Sequence, residues 1–143
     1  MRSFFVIFYI VLLLISCQDP YCENIRDVIE QDCYKSKEPC LVTFSEAFPF
    51  YWDTLYVIES EITPNRISKK LGIRYNGPMA YDGSDLIIFR KGDRIIRSFD
   101  SRCDQLEYRK FKSSSFKAIA RNQKVMVKYD SLDYTERYLV FPE

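Results

Sequence analysis

Between residues 4 and 15 the chain is apolar throughout, FFVIFYIVLLLI, behind the single positive side chain of Arg2. A helix needs about 20 such residues to cross a bilayer, so this run predicts an export signal rather than a span or a core element. Farther on, Cys22, Ile25, Val28, Ile29 and Cys33 recur at the 3,4 spacing of an amphipathic helix over 21–35. Pro39 ends any continuation. Between Trp52 and Glu59 both parities carry apolar residues, with Trp52, Tyr56 and Ile58 on one face and Leu55 and Val57 on the other. That pattern predicts a strand covered on both faces. Glu61 to Gly72 predicts a two-turn helix: Thr63 at the N-cap, Pro64 at N1, Ile62 and Ile67 as a hydrophobic staple, and Gly72 at the left-handed C-cap. Lys69 and Lys70 suit its C-terminal end.

Turn punctuation at Asn76-Gly77-Pro78 and Asp82-Gly83-Ser84 brackets an exposed loop. A hairpin follows, Leu86 to Arg90 and Arg94 to Phe99 around Lys91-Gly92-Asp93. A second hairpin is expected from Phe116 to Arg121 and Lys124 to Tyr129, with its turn at Asn122-Gln123, and a last strand over Glu136 to Phe141. CLVTFSEAFPF shows no period that assigns it. The expected architecture is α+β: an antiparallel sheet of about five to six strands with an N-terminal helix and one short helix packed on it. Residues 1–16 form the signal, 17–20 a tether and 21–143 one domain.

At the end of the apolar run, Leu14-Ile15-Ser16-Cys17 resembles the lipobox of bacterial lipoproteins. The resemblance implies cleavage after Ser16 and a diacylglyceryl group on the Cys17 thiol. Several acyl chains on one terminus give stable anchoring where one is marginal. Gln18 rather than Asp follows Cys17, which under the enteric sorting rule favours the outer membrane. WDTLYVIES followed by TPNRISKKLG is also similar to segments of small bacterial lipoproteins in which a Trp-Asp strand precedes a Pro-started helix. That likeness implies export and the strand–helix order, and it brings no active residues.

Removal of residues 1–16 leaves 127 residues, enough for one core. The whole chain holds 21 Lys plus Arg against 20 Asp plus Glu, and losing Arg2 leaves the remainder neutral. No net field therefore argues for a nucleic-acid partner. Four cysteines remain after Cys17, namely Cys22, Cys33, Cys40 and Cys103, and an even number in an exported chain favours disulfides. A continuous helix separates Cys22 from Cys33 by about 16 Å, beyond disulfide reach. Cys103 is therefore expected to bond one of the other three. The absence of histidine removes the common Ser-His-Asp and Cys-His arrangements and leaves zinc or another metal poorly served. No motif calls for a cofactor.

Two classes of function follow. In the first, a membrane-anchored periplasmic lipoprotein binds a protein partner of the cell envelope, in an inhibitory, immunity-like or accessory role, through loop residues Tyr75, Met79, Tyr81 and Asp82. No catalytic residue is then needed. In the alternative, carboxylates among Asp53, Glu59, Glu61, Asp82 and Asp85 hydrolyse or bind an envelope glycan. An exposed aromatic patch favours the first class. Carboxylates converging in a cleft, one with a raised pKa, favour the second.

Overall fold

A computed structural model describes residues 19–33, 38–59, 61–79, 81, 83–103, 106–108, 116–130 and 137–141. The signal and the lipobox cysteine Cys17 lie outside the described residues, as does Asp82. Helix α1, Pro20–Cys33, starts where the Asp19 carboxylate accepts the Tyr21 and Cys22 amides at 3.0 and 3.4 Å, a charged N-cap that satisfies amides with no partner inside the helix. Its buried stripe is Tyr21, Ile25, Ile29 and Cys33, every fourth residue. Helix α2, Pro64–Leu71, runs as expected from Pro64 at N1 to Gly72 at φ 67°. Among the described residues the Thr63 hydroxyl makes no cap bond, although the Thr63 carbonyl accepts the Ile67 amide at 3.0 Å.

Eight strands complete the described residues. They are β1 (Cys40–Val42), β2 (Thr54–Ile58), β3 (Asp85–Lys91), β4 (Arg94–Ser101), β5 (Leu106–Tyr108), β6 (Phe116–Ala120), β7 (Val125–Asp130) and β8 (Arg137–Phe141). The α+β class is as expected, but the single sheet is corrected to two four-stranded sheets, ordered β4-β3-β2-β6 and β1-β7-β8-β5. The β3–β4 hairpin forms across Gly92-Asp93. The second expected hairpin does not: β6 pairs with β2, whereas β7 pairs with β1 and β8. Residues 121–124 thus carry the chain from one sheet to the other. Alternation identifies a strand but does not name its neighbour, and here a short connection bridges two sheets instead of closing a ribbon. β5 also departs from an all-antiparallel reading, because it runs parallel to β8.

The central sheet, β4-β3-β2-β6, explains why its strands are apolar on both parities. Leu55, Val57, Ile87, Phe89 and Ile119 face a core shared with α1 and with Val125, Val127 and Val140 of the second sheet. Tyr56, Ile58, Leu86 and Ile88 face the opposite way, under Ile62, Ile67 and Leu71 of the α2 region. Ile62 and Ile67 occupy that same cluster, as a staple requires. Cys22–Cys103 bonds α1 to the segment after β4, and Cys33–Cys40 closes the link from α1 to β1. Cys103 is therefore bonded to the N-terminal helix, as expected.

Pairing registers give the central sheet two distinct ends. Ile58 lies opposite Leu86 and Asp85 opposite Ser101, while Thr54 lies opposite Arg90 and Lys91 opposite Arg94. From Asp85 to Lys91 the strand spans about 20 Å at roughly 3.4 Å per residue.

Candidate functional sites at the two ends of the central sheet

The end that carries Asp85 opens into a cleft of about 280 Å³ lined by Glu59, Ser84, Asp85, Ser101, Arg102 and Glu107. Its floor is ionic. Lys117 alternates onto the core face of β6, opposite Val57, and is only 3% exposed. Its ammonium donates to the Glu59 carboxylate, which keeps the buried charge paired. Asp85 stands beside that pair with its pKa pushed up to about 6. Burial is the main cause, the Glu59 charge adds to it, Lys117 opposes it and Asp100 adds a little. Next to it the Ser84 hydroxyl donates to Asp100 at 2.6 Å, and the Ser84 amide donates to the Tyr81 carbonyl at 3.2 Å.

This end also receives the N-terminus of the domain. The second carboxylate oxygen of Asp19 accepts the Ser101 hydroxyl and the Arg102 amide, the latter at 3.1 Å. Cys22–Cys103 bonds the same two segments covalently within three residues of these contacts. One Asp19 side chain thus caps α1 and fastens its start to the cleft rim.

The opposite end is basic and aromatic. Asp53, at the edge of β2, accepts the Gly92 amide at 2.6 Å, while its own backbone donates to the Arg90 carbonyl and accepts the Arg121 amide. Its role is to hold the β3–β4 turn, where Gly92 takes a positive φ of 54°. A short carboxylate that accepts a nearby backbone amide suits this backbone-tying role. Beside the turn, Tyr51 is 57% exposed. Both the Lys91 ammonium, 5.0 Å from the ring centroid, and the Arg121 guanidinium, at 4.7 Å, lie against it. Arg97 lies 4.5 Å over Phe50. Such contacts hold cations near aromatic surface while leaving them hydrated.

Of the four loop residues expected to meet a partner, Asp82 lies outside the described residues and the other three differ in exposure. Tyr75 is only 3% exposed and belongs to the α2-side core. Its hydroxyl donates to the Pro78 carbonyl at 2.7 Å, and its amide donates to the Ser68 hydroxyl at 2.8 Å. Burial raises its pKa although a hydrogen bond with Ser98 opposes the shift. Gly77 fits because it lacks a side chain: a Cβ there would stand 2.5 Å from the Tyr75 hydroxyl and 2.7 Å from the Ser98 hydroxyl. Tyr75 therefore pins the loop, with its ring buried in the α2-side core. Met79 is half-buried, and Tyr81 is exposed near the cleft rim.

Among the carboxylates singled out from sequence, Glu59 and Asp85 meet in the cleft, Asp53 lies at the far end, and Glu61 is exposed just after β2. Sequence reasoning missed Lys117 and Glu107, and it missed Tyr51 with Lys91 and Arg121. Lys117 sits at an inward parity of an alternating strand, a signal that was legible. The grouping at Tyr51 arises from three segments far apart in sequence and had none.

Among the described residues, no group of three or more His, Cys, Asp or Glu side chains could hold a metal ion, and no helix is long and apolar enough to cross a membrane. No protein-family model, curated protein or solved structure matches the chain.

Proposed function

We propose that the chain is an envelope lipoprotein, anchored through Cys17, whose single domain binds a protein partner in an inhibitory, immunity-like or accessory role. The carrying observation is the Tyr51 surface: an exposed aromatic ring set between Lys91 and Arg121 on a rigid sheet end. Tyr and Arg on an ordered scaffold are the residue types that dominate protein interfaces, and Tyr contributes contact area at small entropic cost. The test is recovery of a partner by the tagged full chain from detergent-solubilised membranes. Tyr51→Ala is expected to lower recovery of that partner about tenfold, the effect of losing a contact of ~1.4 kcal/mol. Equal recovery by both proteins contradicts the reading.

A second reading has its own observation in favour. Asp85, with its raised pKa, stands beside the Glu59–Lys117 pair in an open cleft, and a carboxyl group with a raised pKa near a second carboxylate suits acid–base hydrolysis of a glycan. The position of the cleft weighs against it. Cys17 is two residues from Asp19, about 7 Å of extended chain, so an acylated Cys17 holds the cleft close to the bilayer, where a polymer substrate has little room. Under this second reading the purified full chain hydrolyses envelope glycan, and Asp85→Asn lowers the rate about a hundredfold. Absence of hydrolysis sets it aside.

A further inference from the structure

Although the chain beyond its signal is neutral, its charge is not evenly placed. At the Tyr51 end the cations Arg90, Lys91, Arg94, Arg97 and Arg121 outnumber the carboxylates Glu46, Asp53 and Asp93. Among the described residues of the cleft end the balance reverses, with Asp19, Glu59, Asp85, Asp100 and Glu107 against Arg102, Lys117 and Lys70, the last 5.0 Å over the Phe116 ring. The strands of the central sheet connect the two, so among the described residues opposite charge surpluses stand about 20 Å apart along a rigid axis. Tip carboxylates do not neutralise the surface. Asp53 is committed to the Gly92 amide at 2.6 Å, and Asp93 and Glu46 make long contacts of 3.4 and 3.7 Å from largely exposed side chains.

We infer that the Tyr51 surface docks an acidic face of another envelope protein, with Tyr51 as its apolar anchor and Lys91, Arg94, Arg97 and Arg121 as the charges that select it. This inference deepens, and rests on, the anchored-lipoprotein reading. On that reading the anchoring bilayer lies at the acidic end and is not the anion. Asp19 and Cys22–Cys103 fasten the start of the domain to the acidic end, and the two residues from Cys17 to Asp19 are too few to let the basic end turn back to that membrane. An exposed ring flanked by guanidinium and ammonium groups fits carboxylate-bearing protein surface, since it offers apolar contact and paired charge together. Charges arranged in this way act chiefly on partner choice and association rate, so binding should weaken as salt rises.

The full chain is expressed in cells that process its export signal, with a photoreactive benzophenone amino acid replacing Tyr51, and is irradiated in intact cells. A clickable fatty acid fed to the same cells reports acylation of Cys17 independently. The expected adduct is a net-negative peptide from a protein other than this chain. Its yield should fall at least tenfold in the doubly charge-reversed variant Lys91→Glu with Arg94→Glu, two exposed positions whose reversal leaves the core intact. Arg102→Glu, at the other end, should change the yield less than twofold. Absence of an adduct overturns the inference. So does an adduct to glycan, to lipid or to a second copy of this chain, and so does a yield indifferent to charge reversal. Missing fatty-acid label with an acidic adduct present overturns the anchor and leaves the docking surface standing. Label present without the adduct does the reverse.

Discussion

Asp85 shows how one side chain couples the cleft to the stability of the fold. Its pKa is raised from 3.8 to about 6, so the folded protein holds this proton more tightly than the unfolded chain does. The stabilising contribution is fully present below about pH 4 and is lost as pH rises through about 6. At neutral pH the charged form is therefore a liability. Asp85→Asn, neutral at every pH, is expected to stabilise the protein at pH 7.5 by about 1–2 kcal/mol after allowance for solvent screening. Near pH 4 the difference should vanish. Urea unfolding at the two pH values checks this, and a variant less stable at pH 7.5 than its parent contradicts it. Ser68 makes a second residue-scale case. Its hydroxyl donates to the Pro64 carbonyl at 2.9 Å and accepts the Tyr75 amide at 2.8 Å, joining α2 to its following loop. Ser68→Ala leaves that half-buried amide without its partner and should cost ~1–3 kcal/mol. Thr63→Ala, which removes a hydroxyl with no cap bond among the described residues, should cost much less, although composition alone makes Thr63 the more conspicuous residue. Comparison of the two melting curves decides between them.

At the scale of elements, legibility followed the length and independence of each local signal. α2 was readable almost to the residue because cap, proline, staple and terminal glycine all lie within twelve positions and agree with one another. The β3–β4 hairpin was readable for the same reason. In β2 and β3, two-faced apolarity correctly announced strands with cover on both sides. β1 and β5 were not readable, because three residues are too few to display a period of two. The crossing between β6 and β7 escaped for a different reason. Asn122-Gln123 looks like a hairpin turn, but strand partners are chosen by which edges remain open in three dimensions, and β6 completes the central sheet beside β2 while β7 opens the other. Of the candidate sites, Glu59 and Asp85 were individually visible as carboxylates. Their meeting with Lys117 depends on the β2–β3 and β2–β6 registers, which no single segment encodes. Tyr75 was misplaced on the surface because turn residues surround it, whereas packing of its ring under α2 determines its position.

For the whole molecule, two disulfides carry unequal parts of the stability. Cys22–Cys103 spans 81 residues and Cys33–Cys40 spans 7. In the chain-entropy description these loops contribute about 4–5 and about 2 kcal/mol respectively. Replacing the Cys22–Cys103 pair by Ser should therefore lower the denaturation midpoint more than replacing Cys33–Cys40, as urea unfolding under non-reducing conditions would measure. The long bond also fastens the start of α1 to the acidic end of the central sheet, the end opposite the basic, aromatic one. That arrangement has its proposed purpose only if the working protein begins at an acylated Cys17. Intact mass spectrometry of the full-length gene product extracted from membranes tests this most directly. The account predicts a chain of residues 17–143 carrying a diacylglyceryl group on Cys17, with its four remaining cysteines oxidised in pairs. A chain that still begins at Met1, with no fatty acyl mass on residue 17, would contradict it.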